Sequence, residues 1–228
     1  MRVTLYSYWR SSSSHRVRIA LGFKGIEHAI VPVNLLGGEQ RSETHTARAA
    51  HQYVPALEIT WSGADAPRID GETFIESVAI CELLDDLFPD VRLYPKDARD
   101  RARVRALVET VNAGIQPLQN LQVLLRHSQD HDERNAWAKH YNARGMEVLE
   151  RLMERNEAHG ARGRFAYGDA FTAADAFLIP QAASAKRFGV DLASYPRVSA
   201  ALETTAKLPF VLAAAPEAQP DAPPPTKV

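Results

Sequence analysis

The sequence predicts an α/β half followed by an all-α helical bundle, and three observations carry that division. Strand-like and helix-like segments alternate through residue 88, apolar residues from Asp97 onward recur only at three- and four-residue spacing, and Pro89 to Pro95 separates the two patterns. The length fits this reading, because 228 residues make one large domain or two small ones. A hydrophobic fraction of 45% and a charged fraction of 24% are ordinary for globular chains and argue against disorder or a fibrous architecture.

The first element is a short β-prone run, Val3 to Tyr6. Ser11 to Ser14 then offer several helix caps ahead of Val17, Ala20, Leu21 and Lys24, and Gly25 is a stop signal. His28 to Val33 predicts a second strand, and the polar stretch from Gly37 to Ala50 gives only a weak helix or a loop. Ala56 to Trp61 and Ile69 to Ile75 predict a hairpin joined through SGADAP. An amphipathic helix follows from Ser77, burying Val78, Ile80, Cys81, Leu83 and Leu84 and ending before Pro89. The order is βαβ, ββ hairpin, α.

In the second half, Val104, Leu107, Val108 and Val111 mark one helix, and Ala143, Met146, Leu149 and Met153 another. Thr172 and Asp175 have the spacing of a capping box for a further helix. Five prolines between Pro216 and Pro225 predict a mobile tail over 216–228. The predicted boundaries are 1–88 for the α/β domain, 89–97 for the linker and 98–215 for the bundle.

Charge narrows the function. With 27 Lys and Arg against 28 Asp and Glu the formal net charge is -1, whereas a nucleic-acid or anionic-membrane binder shows a basic excess. Cys81 is the single cysteine, which excludes an intramolecular disulfide or a cysteine-based zinc site and suits a reducing compartment. The start has no apolar stretch of signal-peptide length, and no segment approaches a membrane span. The expectation is a cytoplasmic protein with no nucleic-acid, membrane or metal partner.

Three features carry chemistry. A serine run at a helix start combines hydroxyls with unpaired N–H groups and a partial positive charge, a setting for a thiolate, carboxylate or phosphate. The plain alternative is a polar cap that binds nothing. Val54-Pro55 precedes a strand, where a cis proline would present the backbone of Val54 to a peptide-like ligand. Glu76-Ser77 at the next helix start offers a carboxylate to an ammonium, and a hydroxyl with N–H groups to a carboxylate. On the predicted element order, these describe a thioredoxin-like half with a site for a small zwitterionic peptide. A Ser-His hydrolase is disfavoured, because Ser14 and His15 are adjacent and no G-x-S-x-G elbow is present.

YSYWRSSSSHRVRIALGFKG, from Tyr6 to Gly25, resembles the signature of zeta-class glutathione transferases, the family of maleylacetoacetate isomerases, in which SSC-x-x-R-V-R-I-A-L opens the first helix. Tyr53 to Leu57 (YVPAL), Gly114 to Leu121 (GIQPLQNL), Thr172 to Gln181 (TAADAFLIPQ) and Lys186 to Pro196 (KRFGVDLASYP) agree in the same order. The resemblance implies a glutathione transferase fold, glutathione as cofactor, a small diacid substrate and a homodimer. It assigns Ser11 and Ser12 to the first two serines of the motif, with Ser11 facing the glutathione sulfur, and places Ser13 where the family has cysteine. It puts Gln52, Val54, Pro55, Glu76 and Ser77 against glutathione, although Ala49-Ala50 replaces the usual Asn-Pro, Tyr53 a common Gln, and Glu76 a Gln. Gln116 and Asn120 match the isomerase version of their segment; relatives acting on maleylpyruvate carry His and Arg where this chain has Gln116 and Leu121. Arg187 matches an arginine that holds a substrate carboxylate, with Arg10 as its helper.

The implied reaction is the isomerisation of maleylacetoacetate to fumarylacetoacetate in aromatic amino acid catabolism. Alternatives are maleylpyruvate isomerisation, conjugation or dehalogenation of small acids, or a non-catalytic interaction protein of the same fold. Cys81 reads as an inert core thiol. His127 and His131 have metal-pair spacing but sit in a loop-like stretch. The Arg99, Arg101, Arg103, Arg105 run reads as a solvated helix or a dimer contact, and His15 as a pocket, surface or interface residue.

Overall fold

A computed structural model of the chain describes residues 1–61 and 71–224. It divides into two compact units: Met1–Val91 together with the segment from Pro209, and Arg92–Leu208. The expected SGADAP turn and the first two residues of the expected fourth strand lie outside the described residues.

The first unit is built on a sheet of β1 (Arg2–Ser7), β2 (Ala29–Pro32), β3 (Ala56–Thr60) and β4 (Glu72–Ile75), in the order β2-β1-β3-β4. β1 runs parallel to β2, while the β1/β3 and β3/β4 pairs are antiparallel, with Leu5 opposite both Ile30 and Leu57. Pro32 is tolerated because β2 is an edge strand. Between β1 and β2 lies α1 (Ser12–Phe23); α2 (Glu43–Arg48) precedes β3, and α3 (Ser77–Leu87) follows β4.

Leu5, Leu57 and Ile59 of the sheet, Val17, Ile19 and Leu21 of α1, and Ile80 and Leu84 of α3 are all fully buried. The apolar faces are therefore spent on one core, the arrangement that an α/β layer demands. On α3, Val78 and Leu83 are only half-buried, and Asp85 takes a core position instead. The reason is an ion pair across the two helices, Lys24 Nζ to Asp85 Oδ1 at 2.8 Å, with both side chains shielded from solvent.

The second unit holds α4 (Ala98–Asn112), α5 (Leu121–His127), α6 (His131–Ala158), α7 (Ala173–Arg187) and α8 (Pro196–Thr205). The α/β half and all-α half are thus as the sequence predicts. α7 opens on the anticipated capping box: Thr172 caps Ala174, and Asp175 accepts from the Thr172 N–H at 2.9 Å and the Ala166 N–H at 2.7 Å. Burial raises the Asp175 carboxyl to about 6 against those hydrogen bonds. Gln119 Oε1 accepts from Asn142 and Gln181, while Gln181 donates to Asn142 Oδ1 at 2.7 Å, a buried amide network that ties α5's approach to α6 and α7. An amide triad gives no periodic signal, so the sequence reading contains no trace of it.

The end of the chain departs from expectation. α9 (Pro209–Ala214) belongs to the first unit, packing Phe210 against Phe23 with ring centroids 5.5 Å apart, and Gly22 admits that approach because a Cβ there would lie 3.0 Å from the Phe210 Cβ. The tail predicted to be mobile is instead structured through residue 224, with a 3₁₀ turn at Pro216–Ala218 and a buried Gln219. Proline stops the helix there, but fixed φ angles and side-chain anchors still permit a definite path.

His15 points inward from α1 at 5% exposure, and burial, with Arg18 beside it, depresses its pKa to about 3. The unfolded chain, near pH 6.5 for histidine, binds this proton first, so the stability that His15 contributes is full above about pH 6.5 and is lost as pH falls towards 3. Chemical unfolding at pH 7 and pH 4.5 should show the wild type losing up to about 1.4 kcal/mol per pH unit more than His15→Gln over that window. Parallel pH dependences for the two proteins would refute this.

Candidate active site

The site begins where β1 delivers the chain to α1. Ser11 is the N-cap of that helix: its backbone is extended, and its Oγ accepts from the Ser14 N–H at 3.1 Å. With the oxygen so engaged, the hydroxyl proton is left to donate elsewhere. Ser12 and Ser13 occupy the first two helical positions, half-buried, where their N–H groups have no intrahelical acceptor. A short turn leads in, closed by the Ser11 N–H on Tyr8 O at 3.0 Å.

That turn is fixed from below by a buried cation. Arg18, 2% exposed, donates to Ser7 Oγ at 3.0 Å, Tyr8 O at 3.4 Å, Trp9 O at 3.0 Å and Ala214 O at 2.9 Å. Burial lowers its pKa to about 10, opposed by Asp221 and Glu217. Trp9 also packs on a cluster formed by Tyr6, Tyr8, Val33, Ala49, Val54 and Ala56. Arg10 is exposed, with its guanidinium 5.7 Å from the Trp9 ring centre.

Val54-Pro55 is cis, and Val54 is buried in the same cluster as Tyr8. Two non-glycine residues, Gln52 before β3 and Glu76 after β4, hold positive φ, at 60° and 69°. Such backbones cost about 1–3 kcal/mol each and persist where the surroundings over-determine them, as they do at ligand sites. Glu76 precedes α3 with an exposed side chain, and its Oε1 lies 3.6 Å from His51 Nε2. Ser77 is buried and accepts from Arg16 Nη1 at 3.0 Å. Arg16 therefore ties the start of α3 to α1, and Ser77 has a structural duty besides any ligand contact.

This donor set fits glutathione. Ser11 and the open N–H groups of α1 suit its thiolate, the α3 start suits an α-carboxylate, and the Glu76 carboxylate suits an ammonium. Ser14 Oγ, fully buried beside the cap, has no hydrogen-bond partner among the described residues. The remaining site candidates belong to the second unit. Gln116 begins a 3₁₀ turn and is half-buried; Asn120 caps α5, accepting from the Gln122 N–H at 3.1 Å; Arg187 ends α7, exposed, 4.8 Å from the Phe188 ring centre.

Cys81 is fully buried, and burial pushes its thiol up to about 12, so it offers no nucleophile. His127 ends α5 against Trp137 at 4.2 Å, and His131 opens α6. No group of three His, Cys, Asp or Glu side chains among the described residues is placed to hold a metal ion. The sequence reading missed Arg16, Arg18 and His51. The first two had a signal: two cations interleaved with Val17, Ile19, Ala20 and Leu21 must find acceptors where that run is buried.

Residues 1–86 match the glutathione S-transferase N-terminal domain, and residues 136–204 the glutathione S-transferase C-terminal domain. The maleylacetoacetate isomerase of Mus musculus is 40% identical over 221 residues, covering 96% of this chain and 94% of that protein. The chain belongs to the zeta-class glutathione transferase family, the family of the maleylacetoacetate isomerases. Solved structures agree with that membership. A maleylacetoacetate isomerase from Anaeromyxobacter dehalogenans 2CP-1, solved with dicarboxyethyl glutathione and citrate in its active site, superposes with a TM-score of 0.85 at 41% identity, over 98% of this chain and 95% of that one. A bacterial zeta-class maleylpyruvate isomerase superposes with a TM-score of 0.86 at 36% identity, over 96% and 100%.

For a zeta-class transferase the role of Ser11 has a defined readout. Ser11→Ala removes the hydroxyl donor, so the rising, acidic limb of the kcat profile should move up by about one pH unit, with kcat falling about threefold at pH 7 and about tenfold well below the limb. An unmoved limb in a pH-rate series would transfer the thiolate contact to Ser12, Ser13 or the backbone.

Proposed function

We propose that this protein is a glutathione-dependent cis-trans isomerase converting maleylacetoacetate to fumarylacetoacetate in the catabolism of tyrosine and phenylalanine. The observation that carries the reading is a whole-length match to named isomerases that includes an intact Ser11-Ser12 helix start. Glutathione supplies the thiol whose reversible addition to the conjugated double bond frees that bond to rotate, and it is regenerated.

The protein's residues do the rest. Ser11, Ser12 and Ser13 present a hydroxyl donor and N–H groups to the thiolate; Ser13, in place of the family cysteine, keeps a small polar side chain at the helix start. Gln52, Val54, Pro55, Glu76 and Ser77 hold the peptide, with Gln116 and Asn120 as further glutathione contacts that rest on the resemblance. Arg10 and Arg187 anchor substrate carboxylates. The arrangement also suits maleylpyruvate, and a zeta-class neighbour carries the name maleylpyruvate isomerase, but Gln116 and Leu121 favour maleylacetoacetate. We further assign a homodimer, which the resemblance implies, and a cytoplasmic setting, which suits a single buried cysteine. No helix among the described residues is long and apolar enough to cross a membrane.

A spectroscopic assay with maleylacetoacetate and maleylpyruvate, each with and without glutathione, tests the reading. Turnover of maleylacetoacetate that requires glutathione is the expected result; no turnover of either diacid would reject it. Charge-assisted contacts contribute about 1.5–3 kcal/mol each, so Arg187→Ala should lower kcat/KM for the diacid about 10- to 100-fold and spare a neutral ester. Equal losses on acid and ester would make Arg187 structural.

A further inference from the structure

The segment beyond α9 returns to the turn that carries the site. Gln219, 6% exposed, donates from Nε2 to Ala213 O at 3.0 Å and Ala215 O at 2.9 Å, which fixes the chain just before Asp221. Asp221 Oδ2 then accepts the Trp9 N–H at 2.9 Å across 212 residues of sequence. On the other side of the same residue, Arg18 Nη2 holds the Trp9 carbonyl at 3.0 Å. Both peptide groups flanking the Trp9 side chain are therefore pinned, one by the buried guanidinium and one by the chain's end.

The two pins have different jobs. Ser11 is held by α1 itself, through its Oγ on Ser14 N–H and its carbonyl on His15 N–H at 2.9 Å. Trp9 and Arg10 precede the cap and have no helical bonds to hold them. Arg10 keeps its guanidinium over the Trp9 ring, so the direction of that cation follows the seating of Trp9. We propose that Gln219–Asp221 is a positioning strap, in which Asp221 seats Trp9 and thereby aims Arg10 at a carboxylate of the substrate. This rests on the isomerase reading for the role of Arg10. Asp221 also faces Arg18, whose charge it supports, so removing the hydrogen bond must be separated from removing the charge.

Asp221→Ala and Asp221→Asn make that separation, because the amide keeps one acceptor oxygen for the Trp9 N–H while the charge and the second acceptor are lost. Each variant is measured by amide exchange at Trp9, by the pKa of the bound glutathione thiol, and by steady-state kinetics with maleylacetoacetate. Asp221→Ala should speed Trp9 exchange at least about tenfold and raise KM for the diacid about 5- to 10-fold, the size of one hydrogen bond, while the thiol pKa stays put. Asp221→Asn should recover most of both effects. Unchanged Trp9 exchange in Asp221→Ala overturns the strap, as does faster exchange with an unaltered KM, a thiol pKa that moves with KM, or an Asn variant as impaired as Ala. A wild type inactive on the diacid would overturn the isomerase reading and the aiming of Arg10, whereas Trp9 exchange would still report whether Asp221 seats the turn.

Discussion

The structure of the site depends on where one buried cation puts its hydrogen bonds. Arg18 reaches the end of β1, two carbonyls of the turn before α1, and the last turn of α9. An isolated guanidinium in a core is costly to desolvate, and the cost is offset only when its donors are satisfied. The chain therefore has to bend at Tyr8 and Trp9 to meet it, and to bring Ala214 back beside the sheet. Arg18 makes the turn geometry a consequence of core packing, so the helix start that follows inherits a fixed position.

That position is what the chemistry needs. A free thiol near pKa 8.5 is about 3% ionised at pH 7, and a drop of about two units makes the thiolate the major form. The α1 start can supply the shift because its donors are already oriented: the Ser11 oxygen is held by Ser14 N–H, leaving the proton outward, and two N–H groups stand open. Preorganised donors need no rearrangement when charge develops. Gln52 and Glu76, in the same unit, hold positive φ, a backbone strain that the surrounding fold has to over-determine.

Much of this was legible in the sequence. Serines before an apolar helix, Val-Pro before a strand and Glu-Ser before α3 each carry local chemical meaning, and their shared unit follows from the βαβ–ββ–α order. The hidden parts are long-range. Arg16 to Ser77, Arg18 to Ala214 and Asp221 to Trp9 join residues 61, 196 and 212 positions apart, and no local periodicity encodes such pairs. The tail shows the limit most plainly, since α9 stops at Ala214 just ahead of its prolines, which say nothing of an aspartate that anchors it. Asp85 is a second case: a core position occupied by a charge is unintelligible until Lys24 is seen opposite.

The central claim is that the start of α1 turns bound glutathione into a thiolate. Ultraviolet titration of the thiolate in the wild-type complex tests it without reference to any substrate. The account predicts a bound pKa about two units below the free value of roughly 8.5. A bound thiol that titrates like the free peptide would contradict it.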